Sequence, residues 1–175
     1  MPYPGNGIYI VLGEMSLLLT IMKRGTRWPA HSNQDDEQDS LIKSFNKLKD
    51  DLSQVGDLMD LEPKIFLTPF LKVIMSNETT GPVTSAALAS VDKFISYGLI
   101  APTGPSVAST VESIAFAVIH AKFVGTDPTH DAVVLMKILQ LLRTLMLSPV
   151  GVLLSNSSVT EILLSCFRFC FEDRL

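Results

Sequence analysis

The sequence is poor in the residues that disulfide-bonded, metal-binding and nucleotide-binding proteins need. Its two cysteines, Cys166 and Cys170, lie four residues apart, a helical spacing that suits packing better than a disulfide bridge. It contains no glycine-rich phosphate loop and no C-x-x-C or H-E-x-x-H metal motif, and its three histidines are scattered along the chain. We therefore expect no disulfide framework, cofactor or metal site, and a reducing, cytoplasmic compartment.

A strong excess of charge and a long uninterrupted apolar run are also missing. The 14 basic and 18 acidic residues give a net charge of −4, which provides no electrostatic basis for binding nucleic acid. The most apolar stretch, residues 8–22, is too short to cross a bilayer and contains Glu14. We expect no transmembrane segment, and instead a first helix that other helices bury on most sides. Its apolar residues are Ile8, Ile10, Val11, Leu12, Met15, Leu18, Leu19 and Met22.

Prolines that follow a small polar or acidic residue and precede an apolar-periodic run indicate helix starts. Ser158 and Glu161 have the spacing of a capping box at the start of the last helix. No alternating strand pattern occurs, and the connections are short, so the sequence predicts an all-α fold. We expect stacked antiparallel helical hairpins in an armadillo-like α-solenoid, with an irregular helical bundle as the alternative. The expected helices are Ile8–Arg24, Asp39–Leu58, Pro63–Met75 with a break at Pro69, Pro82–Ile100, Pro105–Phe123, Pro128–Leu147 and Ser158 to the end.

Residues 1–175 fit one domain better than two. The longest polar stretch, residues 29–38, contains Asp35, Asp36 and Glu37, and we expect a mobile acidic loop there. The last helix is still in apolar rhythm at Phe171, without a glycine or asparagine cap. We therefore expect the chain to be a piece of a longer protein.

One functional hypothesis is an enzyme whose site is assembled across helices. His130 beside Asp131 could act as an oriented base, with Cys166 or Cys170 as the nucleophile. The alternative is structural, because Asp131 lies in the first turn of a helix, where carboxylates favour the dipole, and both cysteines lie on an apolar stripe. We therefore predict no catalytic residue.

The helix Pro128–Leu147 has more apolar positions than one core-facing side needs. Val133, Met136 and Leu147 fall on the side opposite the main apolar stripe, among polar residues, a pattern typical of a protein–protein surface. Another helix of the same chain could equally cover them. Lys93 is a candidate to pair with Asp131 of a second copy. The predicted self-association residues are Lys93, Tyr97, Asp131, Val133, Met136, Lys137 and Gln140.

Eight short segments, taken in order, resemble one family over nearly the whole chain. They lie at residues 8–14, 23–28, 66–71, 79–82, 91–97, 123–128, 134–140 and 165–171. Together they resemble the amino-terminal dimerisation and cyclophilin-binding domain of the large Golgi brefeldin-resistance Arf guanine-nucleotide exchange factors. The differences are confined to the residues before Ile8, the acidic stretch and residues 101–109.

The resemblance implies a regulatory, self-associating segment that precedes a homology-upstream domain and a separate exchange domain. It implies contact with that homology-upstream domain, contact with Arf only through the absent exchange domain, and a peripheral location at early Golgi membranes in COPI coat formation. The segment itself would then not be an enzyme. A monomeric helical scaffold that binds a partner protein is the alternative function.

Overall fold

The computed structural model describes residues 7–25, 34–125 and 128–171. Within these ranges, extended pairing is limited to one bridge between Thr80 and Val124, so the predicted all-α class is confirmed. The α-helices are α1 (Gly7–Gly25), α2 (Gln34–Ser53), α3 (Pro63–Met75), α4 (Gly81–Ser96), α5 (Val107–Ile119), α6 (Pro128–Leu147) and α7 (Asn156–Phe171). Short 3₁₀ helices lie at Leu58–Asp60 and Pro149–Leu153.

The helices pack in two layers. One layer contains α1, α4 and α6 side by side, and the other contains α2, α3, α5 and α7. The start of α4 at Gly81 lies against Val134 near the start of α6, whereas Asp92 further along α4 accepts a hydrogen bond from Gln140 further along α6. These two helices therefore run in the same direction. In a stack of helical hairpins, the helices of one layer run in the same direction, which agrees with the expected α-solenoid.

Four phenylalanines form the centre of the core. Phe45 of α2 packs edge-to-face on Phe70 of α3, with ring centroids 5.1 Å apart, and Phe70 packs in the same way on Phe94 of α4 at 5.1 Å. Phe66 of α3 meets Phe94 at 5.8 Å. All four side chains are fully buried. Edge-to-face pairs contribute about 0.5–1.5 kcal/mol each beyond the burial of area, so α3 binds the two layers together.

The first helix occupies the edge of its layer, which corrects the expectation that other helices bury it on most sides. Its fully buried contacts with α4 and α2 are formed by a stripe of Val11, Met15, Leu18 and Met22, and Glu14 adds a polar contact to α4. The opposite side is exposed, including Tyr9 and Leu17, and the remaining apolar residues of α1 are half-buried. Among the described helices, none has both the length and the apolar character needed to span a bilayer.

Several expected helix boundaries differ from the observed ones, among them the end of α2 at Ser53 rather than Leu58 and the end of α5 at Ile119 rather than Phe123. α4 ends at Ser96 rather than at Ile100, because Gly98 adopts φ 68° and the N–H groups of Gly98 and Leu99 return to the carbonyls of Ile95 and Phe94. This is the Schellman arrangement that ends many helices. The expected break at Pro69 is wrong, because α3 continues through Pro69. The residues around it are buried in the core, which holds the helix together despite the missing N–H.

The second half of the acidic stretch is helical. Residues 34–38 belong to α2, so the prediction of a loop over residues 29–38 is wrong for that part, while residues 29–33 lie outside the described residues. Asp35, Asp36 and Glu37 fall in the first turn of α2.

The start of α7 is capped from another helix. Ser155, not Ser158, precedes the helix, and its hydroxyl accepts a hydrogen bond from the N–H of Ser158 at 3.2 Å. The predicted capping box at Ser158 and Glu161 is therefore wrong. The carboxylate of Glu112 in α5 takes the place expected for that of Glu161. It accepts a hydrogen bond from the N–H of Ser155 at 2.6 Å and another from the hydroxyl of Ser158. At the start of α7 the N–H of Ser155 is thus satisfied by a tertiary contact and that of Ser158 by the local hydroxyl of Ser155.

The same hydrogen bonds set the ionisation of Glu112. Its partial burial would raise the pKa, but the bonds from Ser158 and Ser155 outweigh this effect and hold the pKa below its ordinary value. A carboxyl group with a lowered pKa in the folded state stabilises the fold above its unfolded pKa. This contribution is lost as the pH falls through the lower, folded pKa.

Two adjacent leucines test the placement of α1. Leu18 is 0% exposed and Leu17 is 49% exposed. Leu18→Asp buries an unpaired carboxylate and should lower the free energy of unfolding by more than about 3 kcal/mol. Leu17→Asp is the matched control and should change it by less than about 0.5 kcal/mol. Urea unfolding followed by circular dichroism measures both, and equal midpoints for the two variants would contradict an edge position for α1.

The cap of α7 gives a second prediction, in which charge is removed with little change of shape. Glu112→Gln should lower the free energy of unfolding by about 1 kcal/mol at pH 7, since charge-assisted hydrogen bonds become neutral ones. The difference from the wild-type protein should disappear as the pH falls below the folded pKa of Glu112, where the wild-type carboxyl is also neutral. Glu161→Gln, an exposed acid on α7, is the control. A deficit that persists unchanged at low pH would show that the charge of Glu112 is not responsible.

Candidate interaction surfaces

The side of α6 that points away from the core carries apolar residues that the described chain leaves exposed. Val133 is 49% exposed, Met136 66% and Leu147 74%. The core-facing side of the same helix is formed by Val134, Ile138, Leu141, Leu142 and Leu145, all buried. No described helix covers these three exposed residues. We call Val133, Met136, Gln140, Arg143 and Leu147 the α6 outer face.

The seven predicted residues do not all lie on that face. Val133, Met136 and Gln140 do, and Gln140 also donates a hydrogen bond to Asp92 of α4 at 3.2 Å. Lys137 is half-buried at its edge. Tyr97 is exposed just after the end of the neighbouring helix α4. Their role in self-association stays a prediction.

Asp131 and Lys93 are placed differently from the other five. Asp131 is half-buried beside Gly125 at the start of α6 and interacts within the chain. Lys93 binds Glu14 of α1, with 2.6 Å between its Nζ and the carboxylate. The structure therefore gives Lys93 a partner in its own chain, where the sequence predicted one in a second copy.

The pair of Lys93 and Glu14 joins α1 to α4. Glu14 is largely buried and also accepts a hydrogen bond from the hydroxyl of Ser90 at 2.9 Å. The hydrogen bond to Glu14 raises the pKa of Lys93 above its ordinary value, more than partial burial lowers it, and the charges of Glu14 and Tyr97 add to the rise. The single acid in the apolar stretch of α1 is thus a tether to the next helix of the layer.

A second exposed apolar surface lies on α7. Ile162 is buried, whereas the opposite side of the helix exposes four large apolar residues, and the rings of Phe167 and Phe171 stack at 6.4 Å. Sequence rhythm alone did not separate the two sides, because apolar residues occur on both. We call Leu163, Leu164, Phe167 and Phe171 the α7 outer face. A large exposed apolar patch on a helix indicates a place for a partner.

The described side chains include little that a catalytic or metal-binding site would need. Among them, no cluster of three or more histidines, cysteines and acids could hold a metal ion. Cys166 is half-buried, while the side chains of His130 and Cys170 lie outside the described residues. The described side chains therefore do not test the pairing of His130 with Cys170.

Comparison with known proteins identifies a group of relatives. No family model matches the chain. It is 46% identical over 173 residues to the Golgi-specific brefeldin A-resistance guanine nucleotide exchange factor 1 homolog of Caenorhabditis elegans, a match that includes 97% of the chain. The chain is a homologue of one segment of such an exchange factor. The ARF guanine-nucleotide exchange factor GNOM of Arabidopsis thaliana is 35% identical over 158 residues, and ARF guanine-nucleotide exchange factor 2 of Saccharomyces cerevisiae 28% over 142.

The homologous segment is a small part of each relative. The chain spans 9% of the Caenorhabditis elegans protein, 11% of GNOM and 10% of the yeast protein. The resemblance inferred from the eight short segments is confirmed by these matches. These matches therefore do not by themselves assign the activity of the whole exchange factors to this chain.

The tether between α1 and α4 gives a prediction that also bears on mutagenesis of the α6 outer face. Lys93→Glu places two carboxylates together and should lower the free energy of unfolding by about 1 kcal/mol, a modest value because Lys93 is half-exposed. Exchanging the charges with Glu14→Lys in the same chain should restore part of the loss. Lys137→Glu serves as the control, since no ion pair of Lys137 occurs among the described residues. If urea midpoints of Lys93→Glu and the control agree, the tether contributes nothing measurable.

Proposed function

We propose that the chain is a regulatory and self-association segment of a Golgi Arf guanine-nucleotide exchange factor. The proposal is supported by homology over almost the whole chain to exchange factors whose names give Golgi function and Arf as substrate. The observation that carries the self-association part is the α6 outer face, with Val133, Met136 and Leu147 exposed in a rim of polar side chains. Residues 1–175 act in this proposal as one domain.

Two copies meet through the α6 outer face. Apolar residues at the centre of a patch with polar residues around them are the usual anatomy of a protein–protein interface. Met136 provides a flexible apolar anchor and Gln140 a polar rim residue already held by Asp92. Tyr97 and Lys137 flank the anchor from α4 and α6. Lys93 and Asp131 contribute by orienting this layer, since each has a contact in its own chain.

The α7 outer face contacts the homology-upstream domain of the same protein. Four large apolar side chains in adjacent turns offer the stripe against which a further solenoid helix packs. This face lies on the second layer, whereas the α6 outer face lies on the first. Both contacts can therefore exist at the same time.

Exchange of nucleotide on Arf belongs to another domain of the parent protein. The described side chains offer interaction surfaces, and the segment contributes by assembly and by positioning of the exchange domain. The parent protein acts as a peripheral protein on the cytoplasmic side of early Golgi membranes in COPI coat formation. An assay of nucleotide release from Arf with the segment alone should give the uncatalysed rate.

A monomeric scaffold for a partner protein is the competing function. It would use the same exposed faces, but the purified chain would then have the mass of one copy at all concentrations. Molecular mass in solution separates the two functions, because a C2 dimer buries the same patch on both copies.

A double charge substitution tests the dimer surface without touching the core. Val133→Asp with Met136→Asp should convert a dimer into a folded monomer, because two carboxylates from each copy would meet at the centre of the interface. The expected rise in Kd is at least about 100-fold. Light scattering over a concentration series measures the mass, and circular dichroism verifies the fold.

The α7 outer face supplies the matched control. Leu164→Asp with Phe167→Asp also adds two carboxylates at exposed apolar positions. This variant should remain a dimer and lose binding to a separately purified homology-upstream domain, whereas the α6 variant should retain that binding. A dimer that survives the α6 substitutions but not the α7 substitutions would show that the interface has been assigned to the wrong face.

A further inference from the structure

A groove crosses the second layer, and no described residue of α6 lines it. It has a volume of about 530 Å³ and is lined by α3, α5 and the first turns of α7. Leu67, Leu71 and Met75 of α3 form its apolar side, and Phe116 of α5, 55% exposed, adds a large aromatic surface. This volume is in the usual range for clefts that bind ligands or side chains.

The polar groups that line the groove are mostly satisfied inside their own helices. The hydroxyl of Thr68 donates to the carbonyl of Lys64 at 2.6 Å, that of Thr110 to Ser106 at 2.8 Å, and that of Ser113 to Ser109 at 2.8 Å. Their methyl and methylene groups are left to contact a ligand. The lining therefore behaves as an apolar surface, which favours apolar side chains in the groove.

The charges at the rim differ between the two sides. Lys64 and Lys72 stand on the α3 side, both exposed, and no ion pair to either occurs within the described ranges. Glu112 and Glu161 stand on the opposite side, where Glu112 is already engaged in capping α7. The groove thus offers two free positive charges along one edge.

The spacing of the two lysines selects the shape of the ligand. Lys64 and Lys72 are eight residues apart on one helix, a distance of about 12 Å along its axis. One small anion cannot contact both. A helix that lies along α3 presents two acidic residues at this distance on one flank while its apolar stripe enters the groove, the usual helix-in-groove mode of recognition.

We propose that this groove binds an amphipathic helix of a partner protein, with its apolar stripe against Leu71, Met75 and Phe116 and two acidic residues paired with Lys64 and Lys72. The site is distinct from the self-association surface, because α6 lies in the other layer. It adds a docking function to the segment and does not depend on the dimer.

The test uses a synthetic probe with the purified chain. The probe is a fluorescein-labelled helical peptide of about 18 residues with a leucine and phenylalanine stripe and two glutamates about 12 Å apart on one flank. Fluorescence polarisation should show saturable binding with a Kd between about 1 and 100 µM. Phe116→Ala should weaken binding at least about fivefold, because the aromatic contact is lost.

Charge reversal tests the recognition itself. Lys64→Glu with Lys72→Glu should weaken binding at least about tenfold, and a peptide with lysines in place of the two glutamates should bind this variant better than the wild-type chain. Lys43→Glu with Lys47→Glu is the matched control, with the same change of net charge on exposed positions of α2, which packs beside α3 away from α5. The control should change the Kd less than about twofold.

Each other result overturns the proposal. Binding that does not saturate, or that the control reduces as much as the α3 variant, would make the attraction non-specific. A fall in molecular mass on Lys64→Glu with Lys72→Glu, measured by light scattering, would show that a second copy of the chain occupies the groove. Binding to anionic lipid vesicles that depends on the same two lysines, without any binding of the peptide, would assign the groove to a membrane surface.

Discussion

The edge-to-face packing of phenylalanines around α3 is the interaction on which the rest of the structure depends. Phe66 and Phe70 are one turn apart on α3, so both point to the same side, and they meet Phe45 of α2 and Phe94 of α4. Aromatic rings at such distances tolerate little displacement in a close-packed core. Because α3 contacts α4 in the other layer and α5 in its own, its position fixes how the two layers pack. The positions of the groove and of the α6 outer face therefore depend on this cluster.

The outer helices are attached differently from the centre. α1 is held by one apolar stripe and by Glu14, which binds Lys93 and Ser90 of α4. α7 is held by Ile162 and by Glu112 of α5, whose carboxylate caps the helix. Each helix therefore buries one side and leaves the other free. Large apolar residues on the free sides, such as Leu17 and Phe167, are the consequence of an edge position, and those of α7 are the basis of the proposed contact with another domain.

The structural features that could be predicted are those set by residues close together in the sequence. The bounds of α3 and α6 follow from a proline at the first turn and from apolar periodicity, and both match the expected Pro63–Met75 and Pro128–Leu147. The end of α4 was missed although Gly98 was visible in the sequence, since a glycine becomes a helix end only when the following Leu99 finds a buried site. Angular position alone placed Val133 and Met136 away from the core-facing side of α6, but it left open whether another helix covers them, and the structure shows both exposed.

The sequence by itself determined the all-α class, most helix starts and the two-sided character of α6, because these depend on residues within one or two turns of each other. Tertiary structure alone decided that α1 lies at an edge, that Lys93 binds Glu14, and that Glu112 caps α7. Those contacts join residues 79 and 43 positions apart. It also decided that α3, α5 and α7 enclose a groove. Periodicity shows which side of a helix is apolar, but only packing shows which neighbour, if any, lies against it.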